Sequence, residues 1–432
     1  MHQLRVAHIK YPLIASLGLF AGMIREIVVA NEFGISKELD AYAAIFGFYL
    51  FFGVQLANTV ESVFIARYAH LTDSQLLEKF FSTQFSLVII QVLLCICLFL
   101  IAEFFVGWMF GFENEQLNLS RNIIRCFIPA MFFASLIGAC RGVLNIKGNY
   151  APGFFYGTVV SFSVIVSLLL TAKFFGILAI PLGYIVGNAI ALVFGLWALF
   201  FKAIKKQHWK TKGIVQPFAI WSAASWILCS EILFQLSYTT ERSFASKIHV
   251  GAVSTYFYAI SILMVFSALV IQPVATLLFP IIARKYRKDK SVARRFVLRV
   301  CCLMLLVGLS FSTLMHFLSL PLIELLLVRG QFTQQDAERT AEILRILVFV
   351  LPFMSVSRIL KNSLYARGTY TAPVIANGVR WISLLVIGFT LVGRYGLSGL
   401  SMAYVISSTL VPVCMFAFFI FDRKQNLPLC RS

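Results

Sequence analysis

Apolar runs of about twenty residues recur from one end of this 432-residue chain to the other, and no other feature limits its fold so tightly. A helix needs ~20 mostly apolar residues to cross the hydrocarbon core of a bilayer. In lipid, every backbone N–H and C=O must be satisfied within the chain, so only helices and closed barrels can span. Read with a window of about 19 residues, the runs fall near 9–30, 41–66, 84–109, 122–140, 152–174 and 176–201. A second set lies near 217–243, 252–282, 296–318, 341–360, 372–392 and 397–421. They leave no room for a soluble domain. The expectation is an all-α polytopic membrane protein with 12 transmembrane helices.

Charge supports lipid as the solvent. Only 13% of the residues are charged, where a soluble domain carries about 25%; the mean hydropathy is +0.87. The net charge of +19 does not point to nucleic acid, because the basic residues gather in short segments between apolar runs. With the N-terminus inside, the even-numbered connections become cytoplasmic. They hold Arg67 and Lys79, then Arg141 and Lys147, then Lys202, Lys205, Lys206, Lys210 and Lys212. Next come Arg284, Lys285, Arg287, Lys288, Lys290, Arg294 and Arg295, followed by Lys361 and Arg367. The opposite connections are poorer in basic residues and carry Glu32, Glu38, Asp40, Glu103, Glu113 and Glu115. Lys and Arg favour the cytoplasmic side, so both termini are expected there, in the inner membrane of a bacterium. The first run contains Arg25 and Glu26 and lacks a small-residue cleavage site, unlike a signal peptide.

The remaining chemistry is sparse. Nine cysteines include no C-x-x-C pair and six histidines are dispersed, so no metal site is expected. No G-x-x-x-x-G-K-[ST] loop occurs, and no nucleophile–base–orienter set appears in a connecting segment, so the chain is not read as an enzyme. No cofactor is expected beyond a coupling cation, H+ or Na+. The 43 phenylalanines are read as lipid-facing bulk.

Sliding the second half over the first gives ordered matches at an offset of 217 to 221. Ala66-Arg67 falls on Ala283-Arg284, and Gly34 on Gly251. The stretch Arg141–Pro152 resembles Lys361–Pro373, and Gly176–Tyr184 resembles Gly396–Tyr404. Two six-helix bundles follow, residues 1–210 and 211–432. Six is even, so the halves share one orientation and their pseudo-twofold runs along the membrane normal. That is transporter architecture, with the substrate path expected between the halves.

A charge at bilayer depth costs ~3 kcal/mol on insertion scales, so each one asks for a reason. Arg25 and Glu26 lie in the outer half of helix one, and Arg25 corresponds to Arg242 in helix seven at an offset of 217. Guanidinium forks suit phosphate oxygens and stay charged when desolvated. The two arginines are therefore candidates for an anion clamp on a phosphate or diphosphate; the bland reading pairs them with Glu26 and Glu241. Glu231, Gln235, Tyr238 and Arg242 form a polar stripe on helix seven, within about 40° of one direction. Glu231 and Glu241 are the candidates for ion coupling. Gln55, Asn58 and Ser62 share a face of helix two with Glu61 beside them, and Arg380 sits within helix eleven. Gln55, Asn58 and Arg380 are taken as cavity residues; interhelical hydrogen bonding is the alternative for the two amides.

Several stretches together resemble the MurJ/MviN-type lipid II flippases of the MOP exporter superfamily. They are Ile24-Arg25-Glu26-Ile27 with Phe33-Gly34, Leu39-Asp40-Ala41-Tyr42, Ser254–Ala259 and Leu278-Phe279-Pro280. Further on come Arg329-Gly330-Gln331-Phe332-Thr333, Leu364–Gly368 and Ala372-Pro373. The similarity runs in order through nearly the whole chain. It implies an alternating-access carrier whose cationic cavity takes the diphosphate of a polyprenyl-linked glycan. Arg25 then matches the family's helix-one arginine, and Asp40 its acidic residue at the start of helix two. The chain departs from the family where Tyr258-Ala259 is followed by Ile260-Ser261 instead of an acid and an arginine. It departs again at Phe51–Val54, where the family has basic residues, and it carries twelve of the family's fourteen helices. The expected partners are a polyprenyl-diphosphate glycolipid, membrane lipid and other membrane proteins of polysaccharide assembly. The expected function is export of an undecaprenyl-diphosphate-linked glycan, lipid II or a surface-polysaccharide precursor. The rival readings are a cation-coupled multidrug exporter of the same superfamily and a non-transporting scaffold.

Overall fold

The computed structural model describes residues 2–203 and 219–421, which form helices joined by short turns with no strand among the described residues. In chain order these are α1 (His2–Phe33), α2 (Lys37–Tyr49), α3 (Leu56–Tyr68), α4 (Asp73–Met109), α5 (Asn114–Ile146), α6 (Ala151–Phe175) and α7 (Ala179–Trp197). They continue as α8 (Ala219–Ser246), α9 (Ala252–Lys288), α10 (Lys290–Leu327), α11 (Gln334–Leu347), α12 (Leu351–Ala366) and α13 (Thr371–Phe421). Each of the expected spans falls on helix over its described residues; positions 217 and 218 lie outside them. Among the described residues, eight helical stretches are long and apolar enough to cross a membrane. Two of these, Ala151–Phe201 and Thr371–Phe421, run for 51 residues, far more than the ~20 a bilayer needs. Each folds at a glycine into two limbs. Helices α1 and α8, which carry charged residues, occupy the other two expected spans.

The chain divides into two compact units. The first is Met1–Val29 with Lys37–Leu228, and the second is Ala30–Ser36 with Cys229–Ser432. The division falls within α8, and the link between α1 and α2 belongs to the second unit. The boundary expected at 210–211 lies outside the described residues.

The internal repeat reappears in backbone geometry. Gly176 has φ 54° and ψ −133°, and Gly396, 220 positions on, has φ 57° and ψ −131°. No L side chain adopts that conformation readily, so glycine is required where α6 turns into α7 and where α13 folds on itself. Gly148 and Gly368 have φ 74° and 79°, and Gly34 and Gly251 have φ 52° and 88°. Each pair ends one helix and starts the next at the same place in its half.

One irregularity does not repeat. Residues Leu50–Gln55 between α2 and α3 wind as a π-helix, an element that often marks functional sites in membrane and soluble helices alike. The stretch includes Phe51–Val54, where the sequence departs from the family pattern. Gly53 makes room there, since an added Cβ would meet Ala134 Cβ at 3.1 Å and Met131 Cα at 3.3 Å. Gln91, fully buried on α4, donates to the Phe52 carbonyl at 3.3 Å.

Phenylalanine divides between the two environments. Phe20, Phe99, Phe104, Phe174, Phe317 and Phe389 stand exposed on helix faces, as expected of lipid-facing bulk. Phe46, Phe127 and Phe332 are buried instead, and these organise the polar groups described next.

Candidate substrate-binding site

In the first unit, α1 brings Arg25 beside Glu26, with Nη2 and Oε1 2.5 Å apart. The side chains keep 16% and 13% of their exposure, so the pair is reachable from outside the protein interior. The guanidinium also lies 5.5 Å from the ring centre of Tyr184 on α7. Tyr184 packs among Phe46 and Tyr49 of the α2 segment and Phe127 of α5, at centroid distances of 5.7, 4.6 and 5.6 Å. Asn188, one turn after Tyr184, donates to Tyr49 Oη at 3.0 Å and accepts from Tyr156 Oη at 2.6 Å. Tyr156 in turn carries the Arg141 guanidinium 5.4 Å from its ring centre.

Arg141 ends this line. Its Nη2 reaches Glu61 Oε2 at 2.9 Å and Asn58 Oδ1 at 2.7 Å. Asn58 donates to Gln55 Oε1 at 3.0 Å, and Asn145 to Glu61 Oε1 at 2.6 Å. Gln55 and Asn58 thus meet as the helix-two face predicts, in a charged cluster with Arg141 and Glu61. Sequence reasoning placed Arg141 in a cytoplasmic connection. The structure corrects this: Arg141 is buried within α5, because that helix continues to Ile146. Its repeat mate Lys361 also lies within a helix, α12, and faces Glu231 of α8 at 3.5 Å. Both connections therefore contribute less free positive charge than a count of residues suggests.

In the second unit, α8 and α13 bury a second set. Arg380 Nη2 contacts Glu241 Oε1 at 3.0 Å, and Tyr256 Oη donates to Glu241 Oε2 at 3.2 Å. Arg380 lies between Phe234 and Tyr404, 5.0 and 5.1 Å from their ring centres. Tyr404 is the repeat mate of Tyr184, so the corresponding tyrosine carries an arginine in both units. Arg242 lies 3.2 Å from the ring centre of Tyr238, within electrostatic reach of the same Glu241 carboxylate. It is 1% exposed. Arg242 and Arg380 thus both act on the Glu241 carboxylate. Glu241 pairs with Arg380, not with its neighbour Arg242 as the bland reading had it. Asp40 is buried in the first turn of α2, where the free N–H groups of a helix start favour a carboxylate.

The family model described as "Lipid II flippase MurJ" matches residues 29–429. The chain belongs to the MurJ lipid II flippase family. A probable lipid II flippase MurJ of Buchnera aphidicola subsp. Acyrthosiphon pisum is 23% identical over 397 residues, covering 85% of this chain and 74% of that relative. Its counterpart from Aquifex aeolicus is 24% identical over 94% of this chain and 82% of its own length. Among solved structures, a lipid II flippase MurJ in an inward closed conformation superimposes with TM-score 0.79 at 19% identity, covering 95% of this chain and 87% of that one. An inward-facing multidrug-resistance MATE transporter of the MOP superfamily gives TM-score 0.79 at 14% identity, over 94% of each chain. The chain is thus a multi-pass membrane protein of a bacterial flippase family.

Three of the stretches that resemble MurJ flippases meet at one place in the second unit. Gln331 N donates to Asn31 O at 2.9 Å, and Tyr258 Oη to Gly34 O at 3.2 Å. Phe332, 1% exposed, stacks edge-on against Tyr258 at 5.3 Å. Thr333 accepts from Asp336 N and starts α11. A Cβ on Gly34 would sit 2.4 Å from Gln331 O, and one on Gly330 2.3 Å from Asn31 O. In this chain the Arg329–Thr333 motif is therefore structural: it seats the α1–α2 link and caps a helix.

Proposed function

We propose that this chain is a flippase that moves an undecaprenyl-diphosphate-linked glycan across the inner membrane by alternating access, head group through the protein and lipid tail in the bilayer. The glycan is lipid II or the lipid-linked precursor of a surface polysaccharide. The family match over residues 29–429 carries this reading, and the similarity to probable lipid II flippases supports the substrate class. Intramembrane arginines support it chemically. Arg25 in the first unit and Arg242 and Arg380 in the second are guanidiniums set within apolar helices, and a diphosphate is a ligand that such forks select. In the first unit, Gln55, Asn58, Glu26 and Asp40 are further proposed substrate-binding residues. Glu231 is the proposed coupling group for H+ or Na+, being more accessible than Glu241, which Arg380 and Tyr256 enclose. Both termini are cytoplasmic in this proposal, and other membrane proteins of polysaccharide assembly are its proposed partners.

Native mass spectrometry of the purified protein tests the reading. A co-purified polyprenyl-diphosphate glycolipid of defined sugar mass, lost from Arg25→Ala, is the expected result. The likeness to a MATE transporter favours a second reading, a cation-coupled multidrug exporter. No glycolipid adduct together with tight binding of cationic amphiphiles would replace the first reading by the second.

A further inference from the structure

A cavity of about 360 Å³ opens at one end of the second unit. Its wall comes from the turn before α9 (His249), the first turn of α9 (Thr255), α11 (Arg339, Glu342, Ile343) and the start of the second limb of α13 (Leu397, Ser398). The left-handed turn at Gly396 brings that limb back to the cavity. This is the end where α8 finishes and α9 begins, which the distribution of basic residues assigns to the extracytoplasmic side. None of the groups discussed above lies in it.

The polar groups of this wall differ in how far they are engaged. Arg339 makes no hydrogen bond or ion pair with a described residue. Glu342, one turn further along α11, accepts from Ser398 Oγ at 3.0 Å through Oε1, which leaves Oε2 available. His249 Nδ1 lies 2.8 Å from the Val250 carbonyl, so Nε2 is turned to other partners and accepts when the ring is neutral. Ile343 and Leu397 add an apolar surface. We propose that this cavity binds a carboxylate-bearing sugar, a hexuronic acid or another sugar acid.

The chemistry narrows the ligand class in three steps. A free planar guanidinium takes a carboxylate bidentately. A nearby carboxylate and an imidazole acceptor suit hydroxyl donors beside that acid group, and the apolar wall suits the C–H face of a pyranose. Glu342 lies close enough on the same helix face to disfavour a dianionic phosphate monoester, whose charge is about −2 at neutral pH. The cavity is at the small end of the range for ligand sites, which fits one ring and not an extended oligosaccharide. That the sugar acid belongs to an exported glycan on release rests on the flippase reading; the binding chemistry does not.

Saturation-transfer NMR on the full-length protein in lipid nanodiscs tests it, with D-glucuronate, glucose, glucose 6-phosphate and alanine as probes. Glucuronate is expected to bind in the millimolar range, about tenfold more tightly than the other three. Arg339→Ala should lower it to the glucose level, with Arg339→Lys intermediate and the thermal transition of both variants close to wild type. Glucuronate binding no better than glucose, tighter binding of glucose 6-phosphate or alanine, or unchanged binding by Arg339→Ala would each overturn the proposal. A missing glycolipid adduct on the wild-type protein removes the flippase reading alone, because glucuronate binding is read independently of it.

Discussion

Arg141 and Glu61 illustrate what a charge inside a membrane protein requires. Either alone would be a buried ion in a medium that solvates it poorly, and together with Asn58 and Asn145 they form a connected set of hydrogen bonds through Arg141 Nη2 and both Glu61 oxygens. Removing one partner from such a pair typically costs about 3 kcal/mol or more, whereas replacing both with neutral groups of similar size costs much less. Arg141→Ala should therefore lower the thermal unfolding midpoint in detergent clearly, while Arg141→Met combined with Glu61→Gln should recover most of the loss. Equal loss in the single and double variants would show that Arg141 acts through shape and not through charge. Arg25 is different because it keeps some exposure beside Glu26. Arg25→Ala should reduce glycolipid transport by on the order of tenfold or more, the loss of a bidentate charge-assisted contact, with the unfolding midpoint little changed. Transport by proteoliposomes at the wild-type rate would remove Arg25 from the binding set.

At the scale of elements, turns decide whether neighbouring helices register. Gly34 lies so close to the Gln331 carbonyl, and Gly330 to the Asn31 carbonyl, that a methyl group on either would have to displace a main-chain atom. Gly34→Ala and Gly330→Ala should each cost more than about 2 kcal/mol through strain and overlap. Gly148, left-handed but with open space around its Cβ position, should cost only about 1 kcal/mol on the same change. Unfolding midpoints of the three variants compared side by side check the ranking. The α9–α10 connection is built otherwise. Asp289 caps α10 by accepting from Ser291 N at 2.7 Å and Val292 N at 3.3 Å. A hydrogen bond from the Ser291 hydroxyl, together with those two backbone bonds, holds its carboxyl below the usual aspartate range. A carboxylate whose folded pKa is depressed stabilises at neutral pH, and the contribution fades as pH falls through that lowered value. Amide exchange at Ser291 and Val292, referenced to distant amides in the same protein, should rise only once the pH is taken below the usual aspartate range, and in Asp289→Asn at neutral pH. Exchange unmoved by either change would show that the cap does not hold the turn.

For the whole molecule, orientation is the quantity most open to a direct measurement. In a cysteine-free background, Asp289→Cys should react with a membrane-impermeant maleimide only from the cytoplasmic side, and Glu113→Cys only from the opposite side. The reverse pattern would invert the topology and move the cavity around Arg339 to the cytoplasmic face. Both positions are read from Lys and Arg asymmetry, which stays informative even though Arg141 and Lys361 turn out to be engaged in ion pairs.

The helical class, the spans and the two-fold repeat were legible in the sequence because each follows from a one-dimensional pattern. Lipid demands about twenty apolar residues per crossing, and a duplicated bundle leaves matched glycines at a fixed offset. Arg25, Gln55 and Asn58 were legible as polar groups set in apolar runs; their part in binding is the proposal above. What the sequence did not reveal is which charges partner which. Glu241 turns to Arg380, 139 positions away, and not to its neighbour Arg242; Arg141 leaves its expected connection for Glu61. Nor did it reveal that Phe46, Phe127 and Tyr184 would pack between Arg25 and the Asn188 hydrogen bonds, because a buried phenylalanine and a lipid-facing one read alike in an apolar helix. Such pairings depend on how helices far apart in sequence lie against each other, and that is settled only when the bundle packs and each buried charge takes the nearest group able to satisfy it.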